Sequence, residues 1–186
     1  TRKESSAASD VYKRQAEMLS DAGYATGMFG KWHLGDAEGR YPTDQGFDEW
    51  YGIPNSSDQA FWPDSDSFQK DAGVEYTRVM TSTRNQKPKK HEVYGRVKRA
   101  TIDREITDYA LEFIARKAET KKPFFAYLPY TQTHEPVDAH PDFKGSTGNG
   151  SFADVLAQTD SYVGELIARI DDLGIKNNTI FIFTSD

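Results

Sequence analysis

The chain has 186 residues, no cysteine, 37% hydrophobic and 28% charged residues, and a net charge of −6. That length holds one ordinary domain with a sizeable core, and the missing thiols exclude disulfides, thiolate metal sites and a cysteine-derived nucleophile within these residues. The acidic balance argues against nucleic-acid partners, which need a basic face, and no apolar run approaches the ~18 residues expected of a membrane span.

Residues 1–14 are mostly small and charged without periodicity, and read as a disordered or foreign leader lacking an apolar signal-peptide core. AEMLSDAG then reads as a short helix, with Ala16, Leu19 and Ala22 on one face and Gly23 at the C-cap position. YATGMF follows as a short buried strand. It leads into GKWHLG, which sets Lys31 and His33 one residue apart directly behind a hydrophobic segment. GFDEWYG reads as a packed turn anchored by Phe47, Trp50 and Tyr51.

Residues 55–100 form a long polar and basic insertion, a length of loop that compact domains usually reserve for function. Arg84–Arg99 holds seven Lys/Arg against one Glu. It reads either as a solvated loop or as a patch that meets an anionic substrate through Arg96, Lys98 and Arg99. The aromatics Trp50, Tyr51, Phe61 and Trp62 suit sugar stacking and packing equally.

Regularity returns at Thr101. Ile102, Ile106, Tyr109, Phe113 and Ile114 make a helical stripe, with Asp103 and Glu105 read in its first turn and Arg116 and Lys117 near its end. FFAYLPY is an apolar strand, followed by a loop over 131–150 with His134 and His140 each close before a proline. The pattern then predicts a helix from Ser151, capped by that residue with Asp154 at the capping-box distance. Its stripe is Val155, Thr159, Tyr162, Val163, Leu166, Ile170 and Leu173, and Gly174 ends it. TIFIFTSD is a β-branched and aromatic strand.

Helices and apolar strands therefore alternate, which predicts an α/β/α sandwich with a mostly parallel sheet. Ligands of such sheets bind beyond the carboxyl ends of the strands. Each expected strand exits into ionisable residues: Lys31 and His33, then His134, then Asp186. A lysine is a compact charge for an oxyanion, a histidine moves a proton near neutral pH, and a strand-end aspartate suits Ca²⁺ or Mg²⁺. Together they fit a phosphate or sulfate ester. His91 and His140 read as structural or exposed.

Four stretches, LSDAGYATGMFGKWHLG, YPTDQGFDEWYG, KPFFAYLPYTQTHEP and LGIKNNTIFIFTSD, resemble in order the sulfatase family of the alkaline-phosphatase-like superfamily. The resemblance covers residues 15–186, apart from much of 55–100. It implies an alkaline-phosphatase-like fold and a calcium-dependent sulfuric ester hydrolase. Lys31 resembles the lysine that binds the sulfate and stabilises the leaving oxygen. His33 resembles the histidine that hydrogen-bonds a formylglycine nucleophile. His134 resembles the histidine that contacts the sulfate and protonates the leaving alcohol, and Asp186 resembles one calcium ligand. The family's first strand with its paired aspartates, and the Cys- or Ser-x-Pro-x-Arg motif that becomes formylglycine, have no match, so the expectation is an incomplete, internal fragment. Implied partners are a sulfated small molecule or a sulfated carbohydrate, and the implied location of the intact protein is periplasmic or secreted. The alternatives are a phosphonate or phosphate ester hydrolase of the same superfamily and a non-catalytic, sulfated-glycan-binding relative.

Overall fold

A computed structural model of the chain describes residues 15–57, 73 and 75–185. The leader over 1–14, Phe61, Trp62 and Asp186 lie outside the described residues. A helix over 15–21 (α1) ends at Gly23, whose φ of 90° is the left-handed conformation that a helix-terminating glycine adopts at little cost. Five strands follow: β1 (Ala25–Lys31), β2 (Glu49–Ile53), β3 (Arg78–Thr83), β4 (Lys89–Val93) and β5 (Phe124–Tyr127). Two long helices, α2 (Arg96–Glu119) and α3 (Ser151–Asp172), complete the regular structure.

The strands form one sheet in the order β4-β3-β2-β1-β5. β1 pairs in parallel with β2 on one side and β5 on the other. β3 and β4 extend the sheet antiparallel. The α/β alternation read from the sequence is therefore present, on a sheet that is parallel around β1 and antiparallel beyond β2. β1 is buried on both faces, as a strand covered on both sides must be. On one face Ala25, Phe29, Tyr51, Ile53 and Val79 pack against Ile102, Ile106, Ala110, Phe113 and Ile114 of α2 and Leu166 and Ile170 of α3. On the other, Met28, Trp32, Phe47, Trp50 and Met80 pack with Ala16 of α1. Each large side chain buried this way stabilises the fold by about 1.5–3 kcal/mol.

Several elements differ from the sequence reading. Phe47, Trp50 and Tyr51 are buried as expected, but Trp50 and Tyr51 lie in β2, in register with Met28 and Phe29. β3 and β4 form a hairpin inside what reads as an irregular insertion. α2 starts at Arg96 behind the N-cap Gly95, so Asp103 and Glu105 are not in its first turn, although Arg116 and Lys117 do occupy its last. Tyr109 is 42% exposed and stacks on Tyr51 with centroids 4.0 Å apart. Gly150, not Ser151, is the N-cap of α3. Asp154 serves the preceding loop instead, accepting from the Gly145 and Thr147 N–H groups at 2.7 and 3.0 Å and the Thr147 hydroxyl at 2.7 Å.

TIFIFTSD does not join the sheet. Among the described residues the segment 179–185 pairs with no strand, and Ile180, Ile182 and Phe183 are 89%, 80% and 68% exposed. An apolar run of this kind becomes a strand only when a neighbour satisfies its backbone N–H and C=O groups.

Candidate active site

β1 and β5 run side by side from Ala25↔Phe124 to Met28↔Tyr127, so their carboxyl ends leave the sheet at one edge. That is where open α/β sheets place ligands. The backbones close up tightly there. The Lys31 N–H donates to the Pro129 carbonyl at 2.9 Å, and a Cβ at Gly30, whose φ is 141°, would sit 2.1 Å from the same oxygen. Across the other side, a Cβ at Gly52 would lie 1.8 Å from the Gly30 carbonyl oxygen. Glycine at both positions lets three strands converge where the site residues emerge.

Beyond Lys31 the chain keeps contact with the end of β2. The Trp32 N–H donates to the Ile53 carbonyl and the His33 N–H to the Pro54 carbonyl, at 2.9 and 2.8 Å. Trp32 turns inward, 5% exposed, with its indole N–H donating to the Arg40 carbonyl at 2.8 Å. The extended backbone stops there. His33 has φ 61°, so the simple alternation that would set Lys31 and His33 on one side does not persist. A left-handed conformation at a non-glycine residue costs about 1 kcal/mol or more, and such outliers gather at functional sites. His33 is exposed, and Lys31 is half-buried with no ion pair among the described residues, which leaves its charge available to an anion.

His134 lies seven residues past the end of β5, on a loop held from below by α2. Arg99, 0% exposed, sends its Nη2 to the carbonyls of Thr131 and His134 at 2.9 and 2.7 Å and to Gln132 Oε1 at 3.0 Å. Its Nη1 donates to the Thr131 hydroxyl and its Nε to the Pro136 carbonyl. One turn on, Asp103 Oδ1 accepts from the Thr131 N–H and hydroxyl at 3.0 and 2.8 Å, and Oδ2 accepts from the Gln132 N–H at 3.0 Å. Burial pushes the Asp103 carboxyl above its ordinary range, while Arg99 and these donors pull it down. His134 itself is exposed, its Nδ1 2.8 Å from the Glu135 carbonyl.

Lys31 and His33 lie at and just past the end of β1, and His134 lies on the loop that follows the neighbouring parallel strand β5. The fourth expected member, Asp186, is outside the described residues. Among the described residues no group of three or more His, Asp or Glu side chains is placed to hold a metal ion. The residues described here therefore do not by themselves fit the calcium that the resemblance implies.

Of the seven basic residues in the run, four are paired with carboxylates and one is interior, which weakens its reading as an anion-binding patch. Arg84 pairs with Asp48, Lys90 with Glu75, Arg96 with Asp138, and Lys98 with both Glu92 and Glu105, while Arg99 is interior. His91 and His140 are occupied locally, by the Thr81 hydroxyl and by the Asp142 N–H. Arg99 and Asp103 escape a sequence reading because polar residues four apart look like a solvated helix face. The signal that could have found them is Arg99, Asp103 and Thr107 at i, i+4 and i+8, interleaved with Ile102, Ile106 and Ala110, so that no polar stripe is left to face water.

Comparison with known proteins bears on the same residues. The Sulfatase family model matches residues 16–186. The chain is 32% identical over 170 residues to N-acetylgalactosamine-6-sulfatase of Canis lupus familiaris, covering 91% of this chain and 31% of that protein. To human arylsulfatase A it is 33% identical over 180 residues, covering 92% of this chain and 34% of the relative. The crystal structure of the PsFucS1 sulfatase from Pseudoalteromonas sp. superposes with a TM-score of 0.77 at 25% identity, over 86% of this chain and 34% of that one. The chain thus spans about a third of the length of the relatives it matches.

Proposed function

Because the chain belongs to the sulfatase family, with its α/β fold, we propose that it forms one wall of a sulfuric ester hydrolase site whose nucleophile lies outside these residues. The observation that supports this reading best is the shared exit of Lys31, His33 and His134 at the carboxyl edge of two adjacent parallel strands.

The chemistry follows from the groups. Lys31 Nζ offers a point charge to a sulfate oxygen and to the bridging oxygen as the S–O bond lengthens. His134 donates a proton to that oxygen, so the alcohol leaves neutral. His33 hydrogen-bonds the attacking oxygen, which takes the sulfuryl group. A formylglycine in the intact protein would supply that oxygen and afterwards release sulfate as the aldehyde re-forms, and Asp186 would be one ligand of a calcium ion that would supply positive charge to the sulfate. The relatives named for N-acetylgalactosamine 6-sulfate, and a 26% identical structure with a TM-score of 0.64 solved with a neocarrahexaose, support a sulfated carbohydrate as substrate. Export to the periplasm or outside the cell fits such a substrate. No helix among the described residues is long and apolar enough to cross a membrane.

The test is turnover by the full-length protein of matched sulfate and phosphate monoesters of one alcohol. A sulfate preference that collapses in Lys31→Ala and His134→Ala is the expected result, and a phosphate preference would favour the phosphohydrolase alternative. The 186 residues alone should hydrolyse neither, and turnover by them would overturn the placement of the nucleophile outside them.

A further inference from the structure

We infer that Arg99, backed by Asp103, is the positioning residue for His134, fixing the backbone from which that histidine reaches the leaving-group oxygen. The inference rests on the acid role proposed for His134.

The loop over 131–138 has no regular secondary structure, so its backbone groups need partners from elsewhere. α2 supplies them from two side chains one turn apart. The guanidinium takes the carbonyls of Thr131, His134 and Pro136 and the amide oxygen of Gln132. Asp103 takes the N–H groups of Thr131 and Gln132. The Thr131 hydroxyl closes the ring, accepting from Arg99 and donating to Asp103. Gln132 passes the constraint on, donating to the Asp138 carbonyl at 2.6 Å, and the Asp138 carboxylate receives Arg96 at 2.7 and 2.8 Å. The loop is thereby held on both sides of His134, and Arg99 touches the peptide of His134 itself.

Two opposite charges buried near each other, like Arg99 and Asp103 joined through the Thr131 hydroxyl, gain little net stability over apolar side chains of similar size. If the loop only needed covering, Leu or Met on α2 would serve. What a guanidinium adds is five donors in a rigid plane, and that plane fixes several carbonyls relative to one another. A lysine has the charge but not the fork. Arg99→Lys is therefore the informative variant, because it keeps the charge beside Asp103 and releases the geometry.

Protonation of the leaving oxygen matters for an alkyl or sugar sulfate and hardly at all for 4-nitrophenyl sulfate, whose leaving group departs as a stable anion. Misplacing a general acid forfeits part of its ~10²–10⁴-fold contribution. In the full-length protein, Arg99→Lys should lower kcat/KM for a sugar sulfate about 10–100-fold and for 4-nitrophenyl sulfate less than about 3-fold. Equal losses on the two esters would overturn the inference, since a general structural defect reduces both alike. Gln132→Ala removes one strut without exposing a buried charge and should give the same split at smaller size, which keeps the test open if Arg99→Lys folds poorly. An independent readout comes from the ring signals of His134 and His91 in the histidine-labelled full-length protein. Arg99→Lys should move or broaden the His134 signal and leave that of His91 in place, and an unchanged His134 signal would overturn the inference. A wild-type protein that cleaves neither ester would instead overturn the sulfatase reading, and the ring signals would still decide whether Arg99 holds His134.

Discussion

The exits of β1 and β5, which carry the proposed site residues, are held in opposite ways. At the end of β1 the constraint is backbone on backbone. Gly30 and Gly52 remove the side chains that would keep β5 and β2 away, and main-chain hydrogen bonds carry the chain as far as His33. At the end of β5 the constraint is side chain on backbone. Arg99 and Asp103 reach up from a helix and hold a loop that has no ladder of its own. The first device tolerates no added atom, and the second tolerates no lost charge. Lys31 and His33 need only a short, stiff exit, whereas His134 sits farther out and needs a brace.

That contrast is broken most severely at Gly30. Gly30→Ala puts a Cβ against the Pro129 carbonyl oxygen at 2.1 Å, a backbone atom that cannot rotate away. In the full-length protein this should cost about 4 kcal/mol or more, read as loss of the cooperative unfolding transition or a steep fall in its midpoint. A Tm within a few degrees of wild type would show that the β1–β5 spacing relaxes easily.

Next comes the brace. Arg99→Met strands Asp103 beside three donors and no cation, and should destabilise by about 3–5 kcal/mol. Adding Asp103→Leu should recover much of that loss, because an unpaired buried charge costs more than the pair contributes. Chemical denaturation of the two single variants and the double variant measures the coupling, and simple additivity would mean the two residues act apart.

At the mouth of the site, Lys31→Ala should leave Tm nearly unchanged and reduce kcat for a sulfate ester about 10²–10³-fold, as loss of one charge-stabilising donor does. A change in KM alone would make Lys31 a binding residue only.

The smallest effect concerns the far end of the His134 loop. The Thr147 hydroxyl and the N–H groups of Thr147 and Gly145 hold the Asp154 carboxyl below its ordinary value of 3.8. The stability it contributes is complete above that pH and fades as pH falls through the lower, folded-state value. Asp154→Asn should flatten the acid limb of a Tm-against-pH curve and change little at pH 7 beyond the lost bonds. An identical acid limb would show that another group controls it.

The strands that carry the proposed site residues were legible in the sequence because strand exits are local. GKWHLG and TQTHEP follow apolar runs directly, and β1 and β5 are the parallel neighbours that a mostly parallel sheet allows. β2 was hidden by the glycines of GFDEWYG, which suggest a turn until their role in close packing is seen. β4, KKHEV, has no apolar face because it is an exposed edge strand, and charged edge strands resist unwanted pairing. The partners of the basic run were hidden by distance, since Asp48, Glu75 and Asp138 come from outside it. Arg99 was the clearest misreading. Composition marks it as surface charge, and only the fold reveals an interior strut.

The internally paired basic run also has a kinetic consequence. Electrostatic steering needs unbalanced charge facing the solvent. Arg84, Lys90, Arg96 and Lys98 each have a carboxylate in contact, and the chain as a whole is acidic. A polyanionic substrate would then meet this part of the protein with little long-range pull, and its capture rate should change only shallowly with ionic strength. Selection would fall to short-range fit after encounter, with Lys31 placed at the end of β1 to take part in it.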